Sequence, residues 1–327
     1  MIVARDIEEL QEVISGSCVT IGNFDGVHKG HQRLIQLACD KARSRDLTSV
    51  VVTFDPHPLT VLRPGHTPPF ITLAEQKLEL IGAIGPNVAL VLPFDRAMAA
   101  LPPEQFVRRY LVDGVRMKEL VIGYDYAMGK GRTGNHEKLV ELGAAFGFGV
   151  ERLDPVIIGD AVVSSTRIRD LIQSGDVWGA RPLLGRFFQV RGEVIRGKDR
   201  GGRLLGFPTA NIGPVDELLP LTGIYAVWVE VEGEKGGEVR PAVANIGFNP
   251  TFGNDALSVE VYIMDFNRDI YGQHIRVHFV QRIREERKFD SLDALVERIN
   301  RDVLVGRRIL EQPEAQAHAT LPGADNS

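Results

Sequence analysis

The sequence contains little cysteine, no long apolar run and no excess of positive charge. Its two cysteines, Cys18 and Cys39, are too few for a disulfide framework and lack the spacing of a metal site. No stretch of about 18 apolar residues occurs, so we expect no transmembrane helix, and Met1–Leu10 lacks the apolar core of a signal peptide. The net charge of −5 argues against a general attraction to nucleic acid or anionic lipid. We therefore expect a cytoplasmic protein without nucleic-acid or membrane partners.

The first half of the 327 residues alternates short apolar runs with helical patterns. The apolar runs predict strands at Cys18–Ile21, Ser49–Phe54, Val88–Leu92 and Leu120–Ile122. The segments between them predict helices at His31–Arg43, Leu73–Ile84, Pro103–Leu111 and Glu137–Phe146. Nearly continuous apolar strands that alternate with helices indicate an open α/β sheet with both faces covered.

The second half predicts a different architecture. Its apolar runs indicate strands at Phe188–Ile195, Ile224–Val231, Ala242–Ile246, Leu257–Met264 and Ile275–Val280. So many strands in a short stretch favour a small antiparallel β-barrel. The glycine-containing segment Glu232–Gly237 predicts a hairpin turn. An apolar stripe that begins at Leu292 predicts a closing helix over Ser291–Leu304.

The two patterns predict two domains. We place the boundary near Leu183–Arg186, after a predicted helix at Thr166–Gln173. The domains then span residues 1–183 and 184–311. The remaining residues, 312–327, are polar, contain proline and glycine and show no periodicity, which predicts a disordered tail.

The segment Gly22–His31 joins a predicted buried strand to a predicted helix and carries the pattern H-x-G-H. Helix N-termini attract phosphate, and glycines such as Gly22 and Gly30 permit close approach to an anion. His28 and His31 are three residues apart, so both can point at one phosphate and donate to the charge that builds up there. Alone, the pattern would be a glycine turn with two surface histidines. Its place at the strand–helix junction favours the phosphate site.

A second helix start, Ser164–Arg169, is compatible with an ordinary capped helix or with a further phosphate site. Its hydroxyl groups can cap free N–H groups or reach phosphate, and the planar guanidinium of Arg169 can clamp phosphate oxygens. Together with the upstream H-x-G-H, this segment resembles the pair of phosphate-binding motifs of the nucleotidyltransferase superfamily.

Two other loops, Thr53–Pro58 and Gly123–Gly129, each follow a predicted strand. They are compatible with a proline-rich turn and a flexible loop. Alternatively, they bind a ligand, because the carboxyl ends of strands line crevices in such sheets. The tyrosines of the second loop also offer an aromatic platform for a flat molecule.

A second candidate site begins at Gly197–Arg203, which is basic and glycine-rich. It is not a Walker A loop, so alone it is a weak phosphate signal. Downstream, Thr209 and Asn211 present two oxygen ligands on one side of an extended segment. Such hard ligands suit an Mg²⁺ ion that bridges nucleotide phosphates.

Glu260 lies in a predicted strand between Val259 and Val261. Because the two valines take the apolar face, Glu260 faces the other side. It is there either an ordinary exposed glutamate or a base that accepts the proton of a substrate hydroxyl during phosphoryl transfer.

With both sites in view, the chain resembles the bifunctional bacterial riboflavin kinase/FAD synthetase family. The resemblance rests on Gly22–His31, Thr53–Pro58, Gly123–Gly129, Ser164–Arg169, Gly206–Asn211, Asn245–Gly247, Pro250–Phe252 and Val259–Phe266. It implies an α/β fold with a Rossmann-like nucleotidyltransferase domain and a C-terminal antiparallel barrel with a closing helix. It also implies that the barrel phosphorylates riboflavin to FMN with ATP, and that the N-terminal domain adenylylates FMN to FAD and releases pyrophosphate.

The same resemblance implies roles for particular residues. It assigns catalytic roles to Glu260, His28 and His31. It assigns nucleotide binding to Gly22, Phe24, Gly30, Ser165, Thr166, Arg169, Gly197 and Lys198. It assigns flavin binding to Asp55, Pro56, His57, Pro58 and Asp125, and Mg²⁺ binding to Thr209 and Asn211.

Two alternatives stay open on the sequence alone. The first is a single-activity adenylyltransferase whose barrel only binds flavin, against which the presence of Thr209, Asn211 and Glu260 argues. The second is a flavin-responsive regulator without catalysis. A regulator of that kind predicts a nucleic-acid-binding element, and the sequence carries neither a basic stripe nor a helix-turn-helix pattern.

Overall fold

The computed structural model describes residues 1–10, 12–196, 207–213, 215, 217–232, 239–248 and 257–316. They form two compact units, one that ends at Ser164 and one that begins at Ser165. Within these ranges, every helix is too short or too polar to cross a lipid bilayer.

The first unit contains a six-stranded parallel sheet. Its strands are β1 (Ile2–Ala4), β2 (Ser17–Ile21), β3 (Thr48–Asp55), β4 (Val88–Pro93), β5 (Met117–Gly123) and β6 (Gly149–Leu153). They are ordered β1–β4–β3–β2–β5–β6, and all neighbours are parallel. The four predicted strands and the α/β class are confirmed. β1 and β6 escaped prediction because β1 has three residues and β6 carries Glu151 and Arg152.

The connections of this sheet are mostly helical. They contain α1 (Lys29–Ser44), α2 (Pro58–Leu62), α3 (Ala74–Gly82), α4 (Arg96–Ala99), α5 (Pro103–Phe106) and α6 (His136–Phe146). The last turn of α5 runs on into a π-helix over Val107–Gly114. A two-stranded ribbon, β7 (Ile157–Ile158) with β8 (Ala161–Val162), ends the unit.

Both faces of the sheet are apolar, as the continuous apolar runs predicted. On one face, Val19 and Val50 pack in a large cluster with Leu111. On the other face, Val51 packs with Ile35 of α1 and with both cysteines. The cysteines are free and buried, and burial raises the pKa of Cys18 to about 12.

The second unit is a closed antiparallel barrel with helices before and after it. Its elements are α7 (Ser165–Gln173), α8 (Val177–Leu184), β9 (Phe188–Ile195), β10 (Ala210–Ile212), β11 (Gly223–Val231), β12 (Val239–Phe248), β13 (Leu257–Ile263), β14 (His274–Arg284), α9 (Leu292–Leu310) and α10 (Pro313–Gln316). The strands close in the order β10–β13–β12–β11–β14–β9. The predicted barrel and closing helix are confirmed.

The closing helix differs from its prediction in length and in its buried face. Ser291 caps α9 by accepting a hydrogen bond from the backbone N–H of Ala294. The helix then runs to Leu310, and its fully buried residues lie in its second half. These are Asp302, Gly306 and Leu310. The predicted stripe is wrong at Leu292, which is 60% exposed, because the helix contacts the barrel mainly through its later turns.

The predicted disordered tail is wrong at its start. Residues 313–316 form α10, since Trp228 donates its indole N–H to the carbonyl of Ala315 at 2.8 Å and Ala315 is buried. Residues 317–327 and most of the predicted hairpin turn at Glu232–Gly237 lie outside the described residues. α7 and α8 group with the barrel, while the functional boundary near residue 183 stays a prediction.

Candidate functional sites

The first candidate site lies at the carboxyl edge of the parallel sheet. β3, β2 and β5 are neighbours in that order, so the loops that follow them leave the sheet side by side. These loops begin at Asp55, Gly22 and Gly123. The structure therefore brings three of the predicted motifs to the edge where open α/β sheets bind ligands.

His28 and His31 stack at the start of α1. Their ring centroids are 3.6 Å apart and their planes differ by 17°. His28 is also the helix cap, because its Nδ1 accepts a hydrogen bond from the backbone N–H of His31 at 3.3 Å. An accepting Nδ1 carries no proton, so the neutral ring keeps its proton on Nε2. The predicted pair is thus side by side.

The glycines around the pair have a packing reason. A Cβ at Gly30 would lie 3.1 Å from the His28 ring, and a Cβ at Gly22 would lie 3.2 Å from the Phe24 ring. Phe24 is 1% exposed and meets the His31 ring edge-on at 5.2 Å. Any contact of Phe24 with a nucleotide therefore comes from its backbone, while its ring supports His31.

His31 is uncharged in this setting. Burial above all, with the neighbouring His28 and Lys77, lowers the pKa of His31 well below its ordinary value of 6.5. Within the described residues, its Nδ1 is buried and has no hydrogen-bond partner. A neutral imidazole donates through one nitrogen and accepts through the other. His31 therefore offers hydrogen bonds rather than an imidazolium charge to any ligand at this edge.

The segment Gly22–His28, here named the phosphate loop, is hydrogen-bonded to the residues just before α3. The Asp25 carboxylate accepts hydrogen bonds from the backbone N–H groups of Ile71 at 2.9 Å and Thr72 at 3.1 Å. In return, the hydroxyl of Thr72 accepts from the N–H of Gly26 at 3.0 Å. These bonds hold the loop in a conformation that puts Phe24 and Val27 at positive φ.

Lys77 is a buried residue of this site that sequence reasoning missed. Its ammonium lies 3.4 Å from the carbonyl oxygen of Asn23 and 3.4 Å from that of Phe54. The side chain belongs to the buried face of α3, together with Leu80 and Ile81. A lysine on the apolar face of an amphipathic helix was the signal that could have identified it.

The second predicted ligand loop, Asp55–Pro58, is split between exposed and structural positions. Asp55 and Pro56 are exposed, and Asp55 lies 3.7 Å from the guanidinium of Arg5. His57 caps α2, since its Nδ1 accepts from the N–H of Leu59 at 3.1 Å, and Pro58 is the first residue of that helix. The exposed pair is free to meet a ligand, and the flavin role of all four residues stays a prediction.

The third loop separates an exposed face from a buried one. Asp125 and Tyr124 are exposed, whereas Met128 is 8% exposed and belongs to the core cluster. The carbonyl of Asp125 accepts a hydrogen bond from Arg132 at 3.1 Å. The carboxylate of Asp125 is therefore accessible, and Tyr124 is the aromatic ring that this loop presents outward.

The predicted second phosphate motif forms the start of α7 in the second unit. Ser165 is the first residue of the helix, Thr166 is exposed and Arg169 is half-buried. Ile168 and Ile172 are fully buried and anchor the helix. The predicted helix start is confirmed, and the phosphate roles of Ser165, Thr166 and Arg169 stay predictions.

The second candidate site is a row of polar side chains across three neighbouring barrel strands. Glu260 on β13 lies directly opposite Asn211 on β10 and opposite Asn245 on β12. Residues directly opposite each other project from the same face of a sheet. The neighbours of Glu260, Val259 and Val261, are fully buried. The row therefore projects away from the apolar interior of the barrel.

The carboxylate of Glu260 lies in surroundings that disfavour its charged form. Burial, with a smaller contribution from the nearby carboxylate of Glu286, raises its pKa above the ordinary 4.5. Glu286 comes close because the barrel has no side chain at Gly247. A Cβ there would lie 2.6 Å from the Glu286 carboxylate.

The predicted metal ligands sit at one end of this row. Asn211 is 7% exposed, and its amide nitrogen lies 3.5 Å from the carbonyl of Thr209, to which it donates. That bond uses the amide nitrogen, so the amide oxygen of Asn211 is left as a ligand, which fits the hard oxygen donors that Mg²⁺ prefers. The predicted nucleotide residues Gly197 and Lys198 lie outside the described residues.

Asn245 was noted in the sequence only as part of a motif. Its amide oxygen is buried and has no hydrogen-bond partner within the described residues. An unpaired buried acceptor costs roughly 1–3 kcal/mol. Its place beside Glu260 could not be read from the sequence, because pairing register is not visible there.

Comparison with known proteins assigns each half of the chain to a family. A family model described as FAD synthetase matches residues 10–167, and one described as riboflavin kinase matches residues 184–310. The bifunctional riboflavin kinase/FMN adenylyltransferase of Escherichia coli strain K12 is 38% identical over 308 residues, which cover 94% of this chain and 97% of that protein. The protein of the same name from Bacillus subtilis strain 168 is 39% identical over 300 residues, with 90% and 92% covered.

A solved structure supports the fold over the same length. A crystal structure described as a macrolide-efflux protein from Streptococcus pneumoniae superposes with a TM-score of 0.80 at 34% identity. The match covers 94% of this chain and 98% of that one.

An open α/β sheet followed by a closed antiparallel barrel, each matched by its own family model, defines a two-part transferase that uses nucleotides. The chain belongs to the bifunctional riboflavin kinase/FMN adenylyltransferase family. Its C-terminal part is a riboflavin kinase and its N-terminal part an FMN adenylyltransferase, and both use ATP. Riboflavin, FMN and ATP are its substrates, and the two alternatives left open by the sequence are set aside.

Proposed function

We propose that Glu260 is the general base of the kinase reaction and that Thr209 and Asn211 hold the Mg²⁺ of ATP. The observation that carries this proposal is the register that sets Asn211 opposite Glu260. The raised pKa of Glu260 makes it a stronger base for a hydroxyl proton. Glu260 accepts the proton of the terminal ribityl hydroxyl while that oxygen attacks the γ-phosphorus and ADP leaves. Bound Mg²⁺ would neutralise phosphate charge.

Asn245 flanks Glu260 on the side away from Asn211. Adjacent strands are about 4.8 Å apart, so the backbones of the two asparagines are separated by roughly 10 Å. That separation suits two different ligands better than one small ion with short bonds. We assign the Asn211 side to the nucleotide and the Asn245 side to the ribityl chain, whose hydroxyls can donate to the amide oxygen of Asn245.

In the adenylyltransferase, we propose that the phosphate loop and the histidines grip ATP. A phosphate oxygen of FMN attacks the α-phosphorus, and pyrophosphate leaves. His28 and His31 donate hydrogen bonds to the charge that develops. The capped geometry, in which Nδ1 of His28 accepts and Nε2 carries the proton of the neutral ring, supports this role. Other proposed nucleotide contacts are Gly22, Phe24, Gly30, Ser165, Thr166 and Arg169, with Gly197 and Lys198 for the kinase.

The remaining assignments are also proposals. The flavin of FMN is placed against the exposed Asp55 and Pro56, with His57, Pro58 and Asp125 nearby at the same sheet edge. The functional domains span residues 1–183 and 184–311. A cytoplasmic location without nucleic-acid or membrane partners is supported by the two free buried cysteines and by the need for ATP.

A time course of products tests these proposals. The full chain, supplied with riboflavin and Mg-ATP, is expected to form FMN first and FAD after it, with chromatography resolving both. Addition of excess EDTA should stop the kinase step. Unchanged FMN formation in EDTA would overturn the metal assignment. FMN that accumulates without FAD would contradict the N-terminal assignments.

A further inference from the structure

Lys77 is a deeply buried cation beside the candidate adenylyltransferase loops. Its side chain is 7% exposed. Within the described residues it forms no ion pair, and its ammonium meets only the carbonyl oxygens of Asn23 and Phe54, each at 3.4 Å. A buried cation is costly. Burial lowers the pKa of Lys77, and the carboxylates of Asp25 and Asp55 offset this only in part. A lysine buried at such a cost in free energy indicates a specific function for its side chain.

The two carbonyls belong to different loops. Asn23 lies in the phosphate loop after β2, and Phe54 lies at the end of β3 just before the predicted flavin loop, Asp55–Pro58. The Thr53 hydroxyl on β3 also donates to the carbonyl of Asn23, at 3.4 Å, whereas the Lys77 ammonium reaches both segments from a third element, α3. One ammonium group therefore joins the segment assigned to ATP with the segment assigned to FMN.

We propose that Lys77 is a positioning residue of the adenylyltransferase, which fixes the distance between the phosphate loop and the flavin loop. The inference rests on the proposed function of these two loops. In a transfer between two bound substrates, the relative position of nucleophile and α-phosphorus decides the rate, and a shift of about 1 Å can cost on the order of 100-fold. When the Lys77 contact is lost, each loop still binds its own substrate. Binding of ATP and binding of FMN are therefore affected less than the transfer step between them.

Two variants of the full chain test the proposal. Lys77→Met removes the donor and the charge at similar length, while Lys77→Arg keeps both. With ATP and FMN saturating, Lys77→Met is expected to lower kcat roughly 10- to 100-fold, with KM for each substrate changed less than about threefold. Lys77→Arg should recover most of the kcat. The riboflavin kinase rate of the same preparations provides an internal standard for protein amount.

Calorimetric titration with a non-reactive ATP analogue separates positioning from unfolding. Retained stoichiometry with lowered kcat supports the proposal. A wild-type kcat in Lys77→Met, or a loss confined to the KM of one substrate, overturns it. If Lys77→Met no longer binds the analogue, Lys77→Gln, which keeps a donor of shorter reach, takes its place under the same criteria.

His31→Ala, measured in parallel, distinguishes a failure of the proposed phosphate-loop function from a failure of the Lys77 proposal. A His31→Ala variant with wild-type adenylylation would remove the proposed function of the phosphate loop whatever Lys77 does. If the adenylylation rate falls as expected in His31→Ala but does not fall in Lys77→Met, only the positioning role of Lys77 is wrong.

Discussion

The two units build their sites by different means. In the parallel sheet, the candidate groups stand on loops beyond the strands, and their positions depend on buried polar bonds such as those of Asp25 and Lys77. In the barrel, Asn211, Glu260 and Asn245 stand on the strands themselves, and register alone aligns them. The first site is therefore sensitive to residues that never touch substrate, and the second to residues within the row.

The largest expected effect is on the barrel row. Glu260→Gln removes the proposed base with little change in shape, so FMN formation should fall on the order of 10²- to 10⁴-fold. Adenylylation of supplied FMN should stay near wild type, because the variant lies in the other unit. The change also removes a buried carboxylate that faces Glu286, so thermal unfolding should not occur earlier. A wild-type kinase rate would show that Glu260 is not the base.

The converse experiment tests the first candidate site, on the loops of the parallel sheet. His31→Ala removes a donor to the developing charge and should lower FAD formation from FMN roughly 10²- to 10³-fold. The kinase rate serves as the control and is expected to remain unchanged. Matched kinetics of both reactions on one preparation check this. Equal loss of both activities would instead indicate a general defect in folding.

A smaller effect is expected within the barrel row. Asn245→Ala should lower kcat/KM for riboflavin about 2- to 10-fold, the value of one neutral hydrogen bond, mainly through KM. Val239→Ala, at the far end of β12 on the same face, is the matched control. Riboflavin analogues that each lack one ribityl hydroxyl sharpen the comparison. The analogue that lacks the partner hydroxyl should show no further loss in Asn245→Ala, and equal loss with every analogue would argue against a ribityl contact.

The smallest effect is a pH dependence that belongs to the loop site alone. The folded pKa of His31 lies below the ordinary 6.5, so below that pH the unfolded chain binds a proton that the folded chain does not. His31 therefore leaves stability unaffected above pH 6.5 and reduces it as the pH falls, by at most about 1.4 kcal/mol per pH unit. Scanning calorimetry between pH 5 and 7 should show a shallower slope in His31→Gln than in wild type. Identical slopes would contradict a neutral buried His31.

The contrast between the units also explains what the sequence predicts well. Apolar runs and period-two alternation predict both sheets, since these patterns follow from burial on one or two faces. β1 and β10 escape because three residues carry no period. The end of α9 was missed because its later turns bury Asp302 and Gly306, which no apolar stripe predicts.

For the candidate sites, the sequence predicted which residues take part but not how they are held in place. Residue types and motif spacing led to His28, His31 and Glu260, whereas the contacts that orient them did not follow. The cap that His28 forms for α1 depends on backbone angles at the loop. The alignment of Asn245 with Glu260 depends on strand register, because a shift of one residue would move the side chain of Asn245 to the opposite face of the sheet. The place of Lys77 on the apolar face of α3 was visible in the sequence, but its contacts were not, because its partners are backbone carbonyls.

The central claim is that one chain holds two chemically independent sites. Glu260→Gln and His31→Ala, each supplied alone with riboflavin and Mg-ATP, should form almost no FAD, the first for lack of FMN and the second with FMN accumulating. Mixed in equal amounts, they should form FAD, because FMN released by one variant is adenylylated by the other. If the mixture remains as inactive as the separate variants while each retains its own partial reaction, the sites are not independent and the account is wrong.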